Sequence, residues 1–130
     1  MKLNYKAIKT IFLFILLILN FSCISDEESR IQTNSLFQGE WSGTFSGEDS
    51  GNINFIVKKE GTIYGTITTA HTDVPEDFIG YVSFDGKFDI NTRSKFYFTG
   101  FLNNVKEVEG QWEKIFDGGT LSGKYIIKKQ

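Results

Sequence analysis

Several residue types from which protein sites are commonly built are almost missing from this chain. Its 130 residues include one cysteine, one histidine and one proline, and the formal net charge is −2. A single cysteine excludes an internal disulfide and any zinc or iron–sulfur centre that needs several thiolates. A single histidine excludes metal centres built on several imidazoles. The near-neutral charge argues against a nucleic-acid-binding protein. We therefore expect no metal, no cofactor and no nucleic-acid partner.

The long apolar side chains are concentrated at the start of the chain. Lys2, Lys6 and Lys9 precede an unbroken run of nine apolar residues, 11–19. Such a run is too short to cross a bilayer core of about 30 Å, but it fits the apolar core of a secretory signal peptide. We predict a signal peptide over residues 1–22. The alternative is an uncleaved N-terminal anchor.

The only cysteine stands directly after this run. Ser22 precedes Cys23, and an acidic cluster follows at residues 26–28. A small residue before a cysteine at this place resembles the lipobox of bacterial lipoproteins, although Asn20 replaces the usual leucine and Phe21 is bulky. The resemblance implies that Cys23 carries lipid and anchors the protein in the outer membrane of a Gram-negative bacterium, exposed at the surface. The alternative is a secreted protein cleaved near Ser22.

The remainder of the chain divides into a linker and one domain. Residues 23–36 are polar, acidic and aperiodic, which predicts a flexible spacer after the lipidated cysteine. The folded domain is predicted over residues 37–130. Without the three lysines of the leader the formal charge becomes −5. The −5 applies to residues 23–130 together, and an acidic chain of this kind is expected to be repelled by an anionic surface and held off it.

Strand signals recur about every ten residues within the domain. Alternation is clearest at Ile53, Phe55 and Val57, and Asp85-Gly86 is a strong hairpin signal. Short connections make each strand pair with its predecessor, and closure of the sheet removes the exposed edges. We predict an all-β fold, a single small antiparallel up-and-down barrel of about eight strands. The predicted strands are residues 40–45, 52–58, 62–69, 78–84, 87–92, 95–102, 106–114 and 120–128.

The first of these strands opens with Gly39-Glu40-Trp41. This tripeptide resembles the G-x-W signature of lipocalins and avidins. The resemblance implies that Trp41 plugs one end of the barrel, a structural role, and that the barrel holds a small apolar ligand. Those families stack a basic residue of the last strand on the tryptophan, and here only Lys124 could substitute for it.

Two polar clusters offer chemistry. His71 lies near Asp73 and residues 76–77, where an imidazole beside carboxylates could act as a base or bind a metal. Residues 48–52 supply oxygen ligands for Ca²⁺ but lack the spacing of a known calcium loop. Both clusters fit solvated loops, so we predict that the protein is not an enzyme. A hydrolase using His71 is the alternative.

Aromatic residues give the richer signal. In residues 95–101 consecutive aromatic side chains must point to opposite faces of a strand. Large rings on both faces can fill and shield a small barrel. The alternative is a binding surface formed by Tyr97, Phe101 and Trp112, for a protein, a glycan or a small apolar ligand. The expected function is a non-enzymatic binding or interaction domain. The other hypotheses are a lipocalin-like carrier and an accessory component or inhibitor in an envelope protein complex.

Overall fold

The domain is an eight-stranded sheet. A computed structural model describes residues 35–130, so the predicted leader, Cys23 and most of the spacer lie outside the described residues. Over residues 35–130 no helix is long and apolar enough to cross a membrane. The strands are β1 (Gly39–Gly47), β2 (Gly51–Val57), β3 (Thr62–Thr69), β4 (Glu76–Val82), β5 (Lys87–Thr92), β6 (Phe96–Phe101), β7 (Val108–Phe116) and β8 (Gly119–Lys129).

The sheet closes on itself. Each strand pairs antiparallel with the next, and β8 pairs with β1 from Trp41↔Lys129 to Gly47↔Gly123. Closure leaves no exposed edge strand on which another chain could add. The predicted all-β, antiparallel up-and-down barrel of eight strands is confirmed. The architecture also agrees with the resemblance to lipocalins and avidins.

Two strands begin and end about two residues from their predicted bounds. The strand predicted at residues 78–84 is Glu76–Val82, and the one predicted at 106–114 is Val108–Phe116. The Asp85-Gly86 hairpin signal lies in the four-residue connection 83–86 between β4 and β5. A hydrogen bond from the Ser83 N–H to the Lys87 carbonyl, at 2.8 Å, closes this connection. Phe84 is therefore an exposed loop residue instead of the last residue of a strand.

The inner face of the barrel is filled by aromatic rings. Phe45 packs against three other rings: its centroid is 5.4 Å from that of Trp112 and 5.5 Å from those of Phe96 and Phe98. These rings meet edge to face, an arrangement that their quadrupoles favour. Residues of the inner face are almost wholly removed from water. The burial supplies the main driving force for folding.

Glycines on neighbouring strands make room for the largest rings. A Cβ atom at Gly100 or at Gly110 would lie 2.1 Å from the hydroxyl oxygen of Tyr125. The ring of Tyr125 therefore crosses bare backbone on β6 and β7, and its hydroxyl donates to the Thr99 carbonyl at 2.6 Å. Rings covering glycine backbone are a known device in curved sheets.

The start of the described chain belongs to the barrel. Ser35 and Leu36 fall in the predicted spacer, yet the Ser35 N–H donates to the Lys59 carbonyl at 2.6 Å. The Asn104 amide donates to the Leu36 carbonyl at 2.5 Å. Phe37 is buried next to them and covers this end of the core. The barrel thus includes the last two residues assigned to the spacer.

Candidate functional site

Apolar side chains form a continuous patch on the outside of three strands. Ile56 of β2 pairs with Tyr64 of β3, and Tyr64 pairs with Ile79 of β4. Tyr81 follows two residues after Ile79 and therefore points to the same face. These four side chains are 41–66 % exposed. We call Ile56, Tyr64, Ile79 and Tyr81 the outer apolar patch.

Polar residues border the outer apolar patch on both sides. Glu40 pairs with Ile56 on the β1 side, and Asp89 pairs with Tyr81 on the β5 side. A shallow cleft of about 390 Å³ opens at the β1 border. Its polar lining includes Glu40, Ser42, Asn54, Thr66 and Gln130, beside Ile56 and Tyr64. An apolar centre with a rim of hydrogen-bonding groups is typical of a protein interaction surface.

Tyr97 and Phe101 of the predicted binding surface lie on the outer face of β6. Tyr97 is 37 % and Phe101 is 59 % exposed. Their neighbours across the sheet are polar: Asn91 and Glu113 flank Tyr97, and Lys87 pairs with Phe101. The two rings are thus exposed singly, and the polar outer face of β5 separates them from the outer apolar patch.

Trp112 does not belong to any surface. The side chain is fully buried, it packs against Phe45 and Phe96, and its indole N–H donates to the Ser46 carbonyl at 3.0 Å. The prediction that Trp112 joins Tyr97 and Phe101 in a binding surface is wrong, because the Trp112 ring lies inside the barrel. The alternation of residues 108–113 could have predicted that Trp112 is buried. Glu109, Gln111 and Glu113 are polar and point outward, so the residues between them point inward.

Trp41 is buried near the start of β1. Its ring stacks on Phe55 at a centroid distance of 6.1 Å, and its indole N–H donates to the Phe37 carbonyl at 2.9 Å. These contacts suit the structural role that the resemblance implies. Lys124 does not cover this ring, because it is exposed and pairs with Ser46 at the other end of β1. Lys129 is the basic residue of β8 that pairs with Trp41.

His71 does not assemble a site with its neighbours in sequence. Its side chain is largely exposed, and Nε2 lies 3.6 Å from the carboxylate of Asp49 in the β1–β2 turn. Glu76 points elsewhere and accepts hydrogen bonds from the backbone N–H and hydroxyl of Ser94. Among residues 35–130 no group of three or more His, Cys, Asp or Glu side chains is placed to hold a metal ion. Glu48 of the second cluster accepts from the Ser122 N–H at 2.9 Å.

No family model, curated protein or solved structure matches this chain. The geometry of residues 35–130 therefore carries the functional argument alone. The outer apolar patch offers two phenol rings for stacking, two hydroxyls for hydrogen bonds and two isoleucines for apolar contact. This chemistry suits a binding or interaction surface.

The sequence contained a signal for the outer apolar patch that the strand pattern obscured. Residues 78–82 contain no polar or charged side chain other than the tyrosine phenol, and Gly80 has no side chain. A strand with one face in water normally alternates apolar and polar residues. The uninterrupted apolar run indicates that β4 presents apolar side chains on both faces. The contact of Ile79 with Tyr64 depends on the register between strands, which local sequence does not specify.

Proposed function

We propose that this protein is a lipid-anchored, non-enzymatic binding module of the outer membrane of a Gram-negative bacterium. The barrel binds a protein partner of the cell envelope through the outer apolar patch, as an accessory component or inhibitor of a larger complex. One observation carries the proposal: Ile56, Tyr64, Ile79 and Tyr81 are contiguous across three strands and remain in water. Contiguous exposed apolar surface marks interaction sites in soluble domains.

The filled interior favours an external site over a carrier function. A lipocalin-like carrier needs a cavity, but the inner rings lie 5.4–6.5 Å apart between centroids across the core. The cleft beside Ile56 and Tyr64 opens on the outside of the barrel, where a partner has access. A small apolar ligand would have to displace packed rings, which costs stability.

The anchor is supported by the sequence around Cys23. The apolar run ends at residue 19, and the only cysteine of the chain follows four residues later. One acyl chain alone gives marginal membrane binding, so the anchor requires more than one chain on this cysteine. Mass spectrometry of the purified protein is expected to find an acylated Cys23 at the N-terminus. Cys23→Ala is expected to release the protein from membranes. An unmodified cysteine, or a Cys23→Ala protein that stays in the membrane fraction, would reject the anchor.

Site-specific photo-crosslinking in intact cells tests the binding surface. A photoreactive phenylalanine analogue in place of Tyr64 is expected to form a discrete adduct with one protein. The matched control is the same analogue in place of Gln111, an exposed outward residue of β7 with the polar neighbours Thr99 and Lys124. The control is expected to give no such adduct.

A second variant shows whether the adduct depends on the patch. Ile79→Glu places a charge beside Tyr64 on the outer face, which is expected to abolish the adduct. Because Ile79 is more than half exposed, the barrel is expected to keep its melting temperature. Absence of an adduct at position 64, or its persistence in Ile79→Glu, would reject the proposed surface.

A further inference from the structure

The two ends of the barrel differ in what they expose. The end at which residue 35 joins the barrel, here the proximal end, comprises residues 35–38, 58–61, 83–86, 102–107 and 128–130. Hydrogen bonds connect these segments, among them the Leu102 N–H to the Gly86 carbonyl at 2.8 Å. The opposite end, here the distal end, comprises residues 48–50, 70–77, 93–95 and 117–118.

Three large apolar side chains protrude at the proximal end, whereas the distal segments expose one, Val74. Phe84 and Val105 are 81 % and 91 % exposed, and Leu36 is 66 % exposed. Leu36 and Phe84 line one cleft, while Val105 lines another with Lys128 and Lys129. The loop of Phe84 is held in shape, because the Ser83 N–H donates to the Lys87 carbonyl and the Gly86 N–H donates to the Ser83 carbonyl. The ring is thus kept in water by a defined turn.

The two ends of the barrel also differ in charge. The proximal end carries five lysines and three acidic side chains, whereas the distal end carries six acidic side chains and two basic ones. Among residues 35–130 no lysine or arginine has a carboxylate within 4.0 Å. The proximal lysines are therefore free to bind other anions. The five are Lys58, Lys59, Lys106, Lys128 and Lys129.

The described chain enters the barrel at the same end. Ser35 belongs to the proximal end, and 11 residues lie between it and Cys23. A chain of that length spans at most about 40 Å, even fully extended. An anchor at Cys23 therefore holds the proximal end, with its lysines and protruding apolar side chains, within reach of lipid headgroups.

We propose that the proximal end of the barrel seats on an anionic lipid surface. Phe84, Val105 and Leu36 enter the boundary between headgroups and acyl chains, and the proximal lysines bind lipid phosphates. The acidic distal end points away from the membrane, so the repulsion expected from the net negative charge of the chain does not act at the proximal end, where lysines outnumber acidic side chains. This arrangement leaves the outer apolar patch on the side wall, open to a partner. The orientation rests on the proposed anchor at Cys23, but the contact itself does not.

Tryptophan reporters in the full-length protein test the contact. Phe84→Trp reports on the proximal end, and the matched control Val74→Trp reports on a distal loop at a residue of similar exposure. Trp41 and Trp112 are buried and give a constant background. On vesicles of phosphatidylglycerol and brominated phosphatidylcholine, fluorescence from position 84 is expected to be quenched several-fold more than that from position 74 and to shift to the blue. Equal quenching at both positions would overturn the proposal. A blue shift at position 84 without quenching would mean that protein, and not lipid, covers this end.

Charge reversal tests the role of the proximal lysines in binding anionic lipid. Lys59→Glu with Lys106→Glu, in the Phe84→Trp protein, is expected to abolish most of the quenching. The control pair Arg93→Glu with Lys124→Glu changes the net charge equally and is expected to leave the quenching unchanged. Equal losses in both pairs would overturn a role for the proximal lysines.

The Cys23→Ala chain separates this proposal from the anchor. With the same reporters, position 84 is expected to remain more strongly quenched than position 74 on vesicles that contain phosphatidylglycerol. Mass spectrometry reports on the anchor independently. An unmodified Cys23 with selective quenching at position 84 would reject the anchor alone. An acylated Cys23 without selective quenching would reject the seated orientation alone.

Discussion

The inner and outer faces of β4 carry similar side chains in opposite surroundings. Phe78 and Val82 point inward and are buried, whereas Ile79 and Tyr81 point outward and are more than half exposed. Apolar composition therefore does not distinguish the core of this barrel from its candidate binding surface. What distinguishes them is whether the opposing surface is present within the chain. The inner face is covered by seven other strands, and the outer face is available to a partner.

The polar atoms of aromatic side chains also differ between the inner and outer faces. Inside the barrel the indole N–H groups of Trp41 and Trp112 and the hydroxyl of Tyr125 each donate to a backbone carbonyl. Within residues 35–130 no buried side-chain nitrogen or oxygen lacks a hydrogen-bond partner. The large inner rings are thus committed to particular contacts. The outer rings of Tyr64 and Tyr81 keep exposed surface that a partner can cover.

The largest expected difference between the faces is in stability. Trp112→Ala removes a fully buried ring from the contacts with Phe45 and Phe96, and we expect it to lower the free energy of unfolding by about 3–5 kcal/mol. Tyr81→Ala on the outer face is expected to change it by no more than about 0.5 kcal/mol. Urea denaturation followed by circular dichroism measures both. Similar losses for the two variants would contradict the distinction between a filled core and an uncovered outer face.

Alkaline pH tests the buried phenol of Tyr125, whose hydroxyl donates to the Thr99 carbonyl. Burial raises the pKa of Tyr125 from 10.0 to about 12. Between these values the unfolded chain has lost the phenolic proton while the folded barrel keeps it, so the free energy of unfolding falls as pH rises. This stabilisation is fully present below about pH 10 and is lost as pH rises towards 12, a change of about 2 kcal/mol. Tyr125→Phe is expected to remove this part of the pH dependence.

The control for alkaline pH is an outward tyrosine. Tyr81→Phe removes a phenol from the outer apolar patch and is expected to retain the slope of the parent protein between pH 10 and 12. Denaturation curves at several pH values give the slope for each protein. If Tyr125→Phe and Tyr81→Phe have the same slope, the buried phenol is not its source.

The fold could be predicted from local sequence, whereas only the β4 part of the candidate surface could be. Turn residues and period-two alternation predict all eight strands and, through short connections, the order in which they pair. Thr62–Thr69 and Lys87–Thr92 have the predicted bounds, because clear turns enclose them. The outer apolar patch depends instead on three strands aligning Ile56, Tyr64 and Ile79 in one row. That row is a consequence of pairing register over the whole barrel, and single strands do not reveal it.

The smallest expected effect concerns how the inner rings and glycines depend on one another. A Cβ at Gly100 would lie 2.1 Å from the Tyr125 hydroxyl, with the next contact 3.2 Å away at Phe88. Gly100→Ala is therefore expected to cost about 2 kcal/mol through overpacking. The Tyr125→Phe background lacks the hydroxyl and should remove most of that cost.

Gly110 provides the matched comparison for this double-mutant cycle. A Cβ there would also approach ring carbon Cζ of Tyr125, at 2.3 Å. Because Tyr125→Phe keeps that carbon, it should relieve Gly110→Ala much less than Gly100→Ala. Urea denaturation of the single and double variants gives the two coupling energies. Equal coupling at both glycines would mean that the phenol ring shifts as a whole, and that the inner face adapts to substitution as readily as the outer one.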